Sequence, residues 1–363
     1  MRGSIKLGKI AGIGVFIHWT FALLLLYIVV SNYREGQDAL QILWAVIFIL
    51  SIFVTVFLHE LGHALAAKHY HINTRDITLL PIGGVARLES IPEKPSEELV
   101  VAFAGPAVNI GLALITALFI TFPDMDTFLQ EMSGGVNAGN FFLNFFVVNF
   151  WLAMFNLIPA FPMDGGRVLR ALLSMGMQRH KATLIAARIG QVLALGFIIL
   201  GFYANPFLIF IGIFIMFGAQ SEANMTKTDY MMKGARVIDI VMKNYETIDE
   251  NENIDKAVHL LLNGQSKIFL VTSHDEPTGT LSRDEIIRAL AGGGSQAAVH
   301  TMMNKELIRL DAGQPIEEAY SKMSAYTDTL ALVYDKQTFI GVLDLENILE
   351  FILVKDTTDK MKS

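Results

Sequence analysis

Cysteine is absent from the 363 residues of this chain. The absence excludes disulfide bonds, thiolate metal ligands and a cysteine nucleophile, so a metal ion would have to be bound by His, Asp or Glu. Charge is scarce as well, because only 17% of the residues are charged while 53% are hydrophobic. The net charge is −7 and the basic residues are scattered, which argues against nucleic acid as a partner. Such a composition indicates a protein that lies in a membrane.

The apolar residues are concentrated in the first 220 positions. Runs of roughly the length that spans a bilayer predict a multi-pass α-helical membrane protein with about six transmembrane helices. The predicted spans are Val15–Val30, Leu40–Ala67, Val101–Phe122, Phe141–Ala160, Leu184–Tyr203 and Pro206–Ala219. We expect membrane lipid to surround this part of the chain.

The basic residues predict the orientation of these spans. They lie before the first span, between the second and third (Lys68, Arg75, Arg87, Lys94) and after the fourth (Arg167, Arg170, Arg179, Lys181). The segment 123–140, between the third and fourth spans, has acidic residues but no Lys or Arg. Because cytoplasmic loops carry the excess of Lys and Arg, we expect both termini to face the cytoplasm of a cell membrane.

A metal-binding motif lies inside the second run, where residues 59–63 read H-E-L-G-H. Residues i and i+4 share one face of a helix, so His59 and His63 can bind one metal ion. Glu60 lies beside them and can take a proton from a water that zinc activates. A polar cluster in an apolar run is costly, which favours a function over the alternative that the imidazoles only form hydrogen bonds within the bundle.

A third ligand is predicted at the end of the fourth run. Residues 156–167 read N-L-I-P-A-F-P-M-D-G-G-R. Pro159 and Pro162 break the helix, and two glycines after Asp164 free the backbone, so the Asp164 carboxylate can turn towards a neighbouring helix. The alternative is an ordinary turn at a helix end.

Four stretches of the first half form a wider pattern. They are H-E-L-G-H at 59–63, P-I-G-G-V-A at 81–86, A-G-P-A-V-N at 104–109 and N-x-x-P-x-x-P-x-D-G at 156–165. Together they resemble the site-2 proteases, a family of intramembrane zinc proteases that cleave membrane-spanning segments of regulatory proteins. The resemblance implies one Zn²⁺ per chain and a catalytic site near the cytoplasmic side.

The resemblance also implies residue roles: His59, His63 and Asp164 as zinc ligands, Glu60 as general base, and Asn156 as the residue that orients substrate or stabilises the oxyanion. Gly83, Gly84 and Val85 are expected in a small hairpin whose edge binds the substrate in an extended form, because a helical substrate must unwind to expose its peptide bond. Asn109 is expected to be a packing contact rather than a catalytic residue.

The last third of the chain is polar and internally repeated. After a predicted linker at 223–235, residues 236–291 match residues 298–354 at an offset of about 62, and 356–363 form a tail. Each copy reads as helix, strand, turn, strand and helix. This resembles a cytosolic α/β pair of CBS repeats, which implies a homodimer and, in some members, a bound adenosine nucleotide such as ATP or AMP.

The nucleotide motif of that family is matched in part. Gly279, Ser282 and Glu285 follow its spacing, and Ser282 and Glu285 are the candidate nucleotide-binding residues. The second copy has Asp344 and Asn347 at the corresponding places, and Asp344 would repel phosphate. The alternative is a pair that serves only dimerisation or docking.

The sequence therefore predicts an intramembrane zinc metalloprotease that cleaves a transmembrane segment of a regulatory membrane protein, with regulation by the CBS pair. A CBS-regulated metal-ion transporter and a non-catalytic scaffold remain as alternatives. Residues 1–220 show no internal repeat of the kind found in transporters. The full set of three ligands and a base argues against a scaffold.

Overall fold

The computed structural model describes residues 3–81, 83–264, 266–326 and 329–362. The chain divides into two compact units, Met1–Asn224 and Met225–Ser363. The first unit is helical with one small sheet, and the second is α/β.

The described residues of the first unit form a four-stranded sheet and eight helices, the last of which ends beyond Asn224, at Met232. The strands are β1 Ser4–Ile10, β2 Ile13–His18, β3 Thr74–Leu80 and β4 Gly83–Leu88, in the order β1-β2-β3-β4. The helices are α1 Thr20–Arg34, α2 Ala39–His69, α3 Pro95–Ala117, α4 Met125–Ser133, α5 Phe141–Asn156, α6 Asp164–Ser174, α7 Arg179–Tyr203 and α8 Phe207–Met232. The β1–β2 and β3–β4 pairs are antiparallel, whereas β2 and β3 are parallel.

Within the described part of the chain, four helices are long and apolar enough to cross a membrane: α2, α3, α7 and α8. The other two apolar helices, α1 and α5, have 15 and 16 residues, which is short of the roughly 20 that a full span needs. The predicted count of about six spans is therefore not confirmed.

The predicted span Val15–Val30 is wrong at its beginning, because residues 15–18 belong to strand β2. Ala11 and Gly12 have positive φ and turn the chain between β1 and β2. Ile13 and Val15 then alternate with less buried positions, and the strand continues into parallel pairing with β3. Hydropathy alone did not separate this short buried strand from the start of a helix.

Helix α2, which carries the H-E-L-G-H motif, packs against both the sheet and α3. Its residue Ala64 packs with Ile13 and Ile77 of the sheet in one buried cluster. On another side α3 approaches closely at Gly62, where an added Cβ would lie 2.9 Å from the carbonyl oxygen of Ala104. The sheet and α3 therefore flank the helix that carries the H-E-L-G-H motif.

A buried group of charges joins the helices around α6. Arg170 of α6 is 1% exposed, and its Nε donates to Glu98 of α3 at 2.7 Å. It also pairs with Glu222 of α8, while the second oxygen of Glu98 lies 3.2 Å from Arg179 of α7. Removing one partner from such a group leaves an unpaired buried charge, which costs about 3–5 kcal/mol. The group thus fixes α6, whose first residue is Asp164.

The second unit contains two similar halves. The first comprises β5 Thr247–Asp249, α9 Ile254–Asn263, β6 Ile268–Ser273, β7 Glu276–Ser282 and α10 Arg283–Ala291. The second comprises β8 Ile308–Asp311, α11 Ile316–Met323, β9 Ala331–Asp335, β10 Thr338–Leu343 and α12 Leu345–Lys362. Each half forms a three-stranded sheet with one parallel and one antiparallel pair, so the sequence repeat corresponds to a structural repeat.

Two segments expected outside the domains are helical. The segment 223–235, read as a linker, continues α8 as far as Met232. The segment 356–363, read as a tail, lies within α12 up to Lys362. Residues 223–232 are therefore helical and do not form an irregular linker.

Candidate metal centre

Three potential ligands meet where α2 faces the beginning of α6. The Nε2 atoms of His59 and His63 lie 3.2 Å apart. Oδ2 of Asp164 lies 3.2 Å from Nε2 of His59 and 3.1 Å from that of His63. All three residues are buried. The i, i+4 spacing on α2 thus produces the convergence expected from the sequence.

This donor set fits a zinc ion. Two imidazole nitrogens and one carboxylate oxygen leave a fourth position open, as in catalytic zinc sites. The other ring nitrogen of each imidazole is already engaged: Nδ1 of His59 contacts Oδ1 of Asn109 at 2.5 Å, and Nδ1 of His63 contacts the carbonyl oxygen of Val101 at 2.7 Å. Both Nε2 atoms therefore face the carboxylate of Asp164.

The loop before Asp164 explains the glycines that follow it. An added Cβ on Gly165 would lie 2.2 Å from the carbonyl oxygen of Ile158, and one on Gly166 would lie 2.6 Å from the nitrogen of Phe161. Neither glycine has a positive φ. These positions therefore need glycine because the loop packs closely against the first turn of α6, and not because the backbone needs extra freedom.

Glu60 lies between the three candidate ligands and strand β4. Its Oε2 accepts a hydrogen bond from the backbone N–H of Ala86 at 3.0 Å. An added Cβ on Gly84 would lie 2.6 Å from Cγ of Glu60, so only glycine allows the strand to come this close. The edge of the sheet is thereby held directly against the carboxylate.

A cavity of about 580 Å³ connects these groups. It is lined by every residue that the sequence assigned to the protease site: His59, Glu60, His63, Gly83, Gly84, Val85, Asn156 and Asp164. Asn156 donates from Nδ2 to the carbonyl oxygen of Leu152 at 2.9 Å, which uses one of its two amide hydrogens. Arg167 also lines the cavity and was not singled out from the sequence.

Two positions on α3 lie against the imidazoles and were not assigned to the site from the sequence. Asn109, expected to be a packing contact, hydrogen-bonds to His59. An added Cβ on Gly105 would lie 2.2 Å from Nε2 of His63 and 2.6 Å from that of His59. The A-G-P-A-V-N stretch could have predicted that these two residues act together, because Gly105 and Asn109 are four residues apart and share a helix face.

In the second unit, the two candidate nucleotide-binding residues bind each other. Oε2 of Glu285 accepts from the backbone nitrogen of Ser282 at 2.7 Å and from its hydroxyl at 3.0 Å. This arrangement caps the N-terminus of α10. A cleft of about 670 Å³ lies elsewhere in this unit, beside Tyr245, Asp344 and Glu346.

The close approach of Gly105 makes a prediction about metal affinity. In Gly105→Ala the new methyl group must displace the imidazoles, so we expect zinc to bind about tenfold or more weakly. Competition of the purified protein with a chromophoric chelator measures this. Gly111→Ala on the same helix is the control, because its Cβ would meet nothing within 4 Å. Equal zinc affinity in the two variants would contradict the prediction.

The chain is similar to known proteins along its whole length. A model of peptidase family M50 matches residues 47–197, and CBS domain models match residues 237–292 and 299–354. A zinc metalloprotease of Methanocaldococcus jannaschii is 32% identical over 363 residues, covering 100% of both chains. Stage IV sporulation protein FB of Bacillus subtilis is 32% identical over 135 residues, or 37% of this chain and 43% of that protein.

Two solved structures are also similar to parts of the chain. The site-2 protease from Methanocaldococcus jannaschii matches with a TM-score of 0.44 and 40% identity, covering 61% of this chain and 95% of that one. A CBS domain protein from Pyrobaculum aerophilum, complexed with AMP, matches with a TM-score of 0.29 and 19% identity, covering 33% and 99%. The full-length match to a zinc metalloprotease shows that this chain belongs to peptidase family M50, the site-2 protease family, and it carries a CBS domain pair.

Proposed function

We propose that this protease cleaves a transmembrane segment of a regulatory membrane protein, with His59, His63 and Asp164 as its zinc ligands and Glu60 as its general base. The observation that carries the proposal is the convergence of three buried ligand atoms, 3.1 to 3.2 Å from one another, in the cavity that also contains the carboxylate of Glu60.

His59, His63 and Asp164 would hold a zinc ion, which would supply Lewis acidity towards a carbonyl and a water nucleophile near neutral pH. Glu60 is the proton carrier in this scheme. Its Oε2 is held by the N–H of Ala86, so the carboxylate is oriented, and Oε1 takes the proton of the attacking water and passes it to the leaving amine. Asn156 retains one amide hydrogen, which can be donated to the carbonyl oxygen as negative charge develops there.

Strand β4 is the proposed binding edge for the unwound substrate. It is the last strand of the sheet, and the N–H of Ala86 points away from β3 towards Glu60. In an antiparallel strand the N–H and C=O groups of alternate residues point to the same side, so those of Gly84 and Leu88 also point away from β3. An extended substrate paired along this edge would lie in the cavity beside the ligands, with Gly83, Gly84 and Val85 in contact with it.

The assigned roles of Glu60 and Asp164 separate zinc binding from catalysis. In Glu60→Gln we expect zinc to be retained while cleavage of a model transmembrane substrate falls about 10²- to 10⁴-fold, because the base is lost. In Asp164→Ala we expect weakened zinc binding together with lost cleavage. Zinc content and cleavage by purified protein measure both effects.

Glu97→Gln, in the first turn of α3, is the matched control and should cleave as the wild type does, because Glu97 pairs with Lys94 and does not line the cavity. Wild-type activity in Glu60→Gln would exclude Glu60 as the base. Wild-type protein that binds zinc but cleaves nothing, even in native membranes, would favour the transporter or scaffold alternative.

Strand addition predicts a defined effect of proline on the edge. Leu88→Pro removes an N–H that faces away from β3, so the β3–β4 ladder stays intact while one bond to the substrate is lost. A lost hydrogen bond of about 0.5–1.5 kcal/mol corresponds to a fall in kcat/KM of up to about tenfold. Leu88→Val keeps the N–H and should cleave normally. Unchanged cleavage by Leu88→Pro would mean that strand addition is the wrong picture.

We further propose that both termini are cytoplasmic and that the catalytic site lies near the cytoplasmic side of the cell membrane. Because the chain has no cysteine, single cysteines report this orientation directly. An impermeant maleimide should label Asp126→Cys, in the external segment, on intact cells. It should label Lys94→Cys only after permeabilisation. The reverse pattern would invert the proposed topology.

The CBS pair is proposed to regulate the protease by binding AMP or ATP at Ser282 and Glu285 and by dimerising. Ser282 lies at the N-terminus of α10, where its hydroxyl can donate to phosphate or ribose, and the carboxylate of Glu285 can accept from the ribose hydroxyls. Exposed apolar residues on α9, α10 and α12 support a dimer contact: Leu262, Ile287, Leu290, Leu349 and Leu353. Titration of the full chain with AMP and ATP measures nucleotide affinity. If Glu285→Ala bound AMP and ATP as tightly as the wild type, the proposed nucleotide site would be wrong.

A further inference from the structure

One face of α3 carries the groups that surround the two imidazoles. Val101, Gly105 and Asn109 are spaced by four residues and therefore lie on one face of the helix. Val101 offers its carbonyl oxygen to His63, Gly105 leaves space for both rings, and Asn109 contacts His59. The two histidines therefore have different hydrogen-bond partners: a backbone carbonyl for His63 and a side-chain amide for His59.

The distinction matters because an amide can be turned either way. With its oxygen towards His59, Asn109 accepts a hydrogen bond, so the ring must carry its hydrogen on Nδ1 and Nε2 is free to bind a metal. With its nitrogen towards the ring, the amide would donate to Nδ1, and the neutral ring would carry its hydrogen on Nε2. In that second state His59 is not a ligand.

A second buried asparagine decides between these states. Nδ2 of Asn149, on α5, donates to the backbone carbonyl of Phe145 at 2.9 Å. A carbonyl oxygen can only accept, so this bond directs the oxygen of Asn149 towards α3. That oxygen accepts from Nδ2 of Asn109 at 3.4 Å, which in turn directs the oxygen of Asn109 to His59 at 2.5 Å.

We propose that Asn149 and Asn109 form an amide relay. The Phe145 carbonyl orients the amide of Asn149, Asn149 orients the amide of Asn109, and Asn109 keeps the hydrogen of His59 on Nδ1, so that Nε2 is free to bind zinc. Both asparagines are 0% exposed, so water cannot replace the missing partner if one amide is removed. They are positioning residues, since they act through His59. The inference rests on the zinc ligands proposed above.

The relay predicts an order of effects on zinc affinity. Asn109→Leu removes the acceptor itself, so the zinc dissociation constant should rise about 10- to 100-fold. Asn149→Leu should have a smaller effect. It leaves the acceptor of Asn109 in place, removes only the bond that orients its amide, and that bond is long, at 3.4 Å. The double variant should bind zinc no more weakly than Asn109→Leu alone, since both changes break one chain of interactions.

The decisive measurement uses Asn109→Asp. A carboxylate presents oxygen in either orientation, so this variant should bind zinc about as well as the wild type and should no longer depend on Asn149. Asn149→Leu should therefore weaken zinc binding in the wild-type background. It should not weaken zinc binding in the Asn109→Asp background, because the carboxylate donates no hydrogen bond to Asn149. Chelator competition with the full-length protein in detergent measures all of these affinities, and thermal unfolding shows that each variant is folded.

Asn144→Leu is the matched control. Asn144 also lies on α5 and donates to a carbonyl one turn earlier, that of Asn140, so it shares the local bond of Asn149 but is not part of the relay. Equal losses of zinc affinity in Asn149→Leu and Asn144→Leu would overturn the relay, and so would an equal loss from Asn149→Leu in both backgrounds. If Asp164→Ala bound zinc like the wild type, the proposed ligand set itself would fail, whatever the asparagine variants did.

Discussion

The constraint on which this structure depends is that every polar group buried among apolar helices needs a hydrogen-bond or ionic partner. A pair of imidazoles inside α2 meets that constraint only if other elements supply acceptors on one side and a carboxylate on the other. Helix α3 supplies the acceptors through Val101 and Asn109, and the first residue of α6 supplies the carboxylate. The contacts of α3 and α6 with α2 therefore satisfy the polar atoms of both imidazoles.

Close approach is the second requirement, and glycine provides it. Gly84 allows β4 to pack against the carboxylate of Glu60, and Gly105 allows the imidazoles to pack against α3. Gly165 allows the preceding loop to pack against α6. None of these three has a positive φ, so the absence of a side chain matters here more than backbone freedom. A methyl group at any of them would lie within 2.6 Å of a heavy atom of the site or its loop.

The buried charges extend the same logic away from the metal centre. Arg170 holds α6 to α3 and α8 through Glu98 and Glu222, so the helix that begins with Asp164 is bonded to two neighbouring helices. Glu222 lies on α8, which continues as far as Met232 in the second unit. Helix α8 is thus bonded, within the first unit, to the helix that begins with a proposed ligand.

The sequence by itself determined the family, the two-part architecture and the internal repeat, and these predictions are confirmed. Local spacing was sufficient to nominate the site: residues four apart share a helix face, and an aspartate after two prolines stands where a helix has ended. Only the tertiary structure decided the number of long spans, the strand at Val15, and the pairing of Ser282 with Glu285. It also showed that Asn109 touches His59 rather than merely packing. Spacing along one element tells which residues lie together on it, but the partner across the interface depends on which elements pack against each other and at what distance.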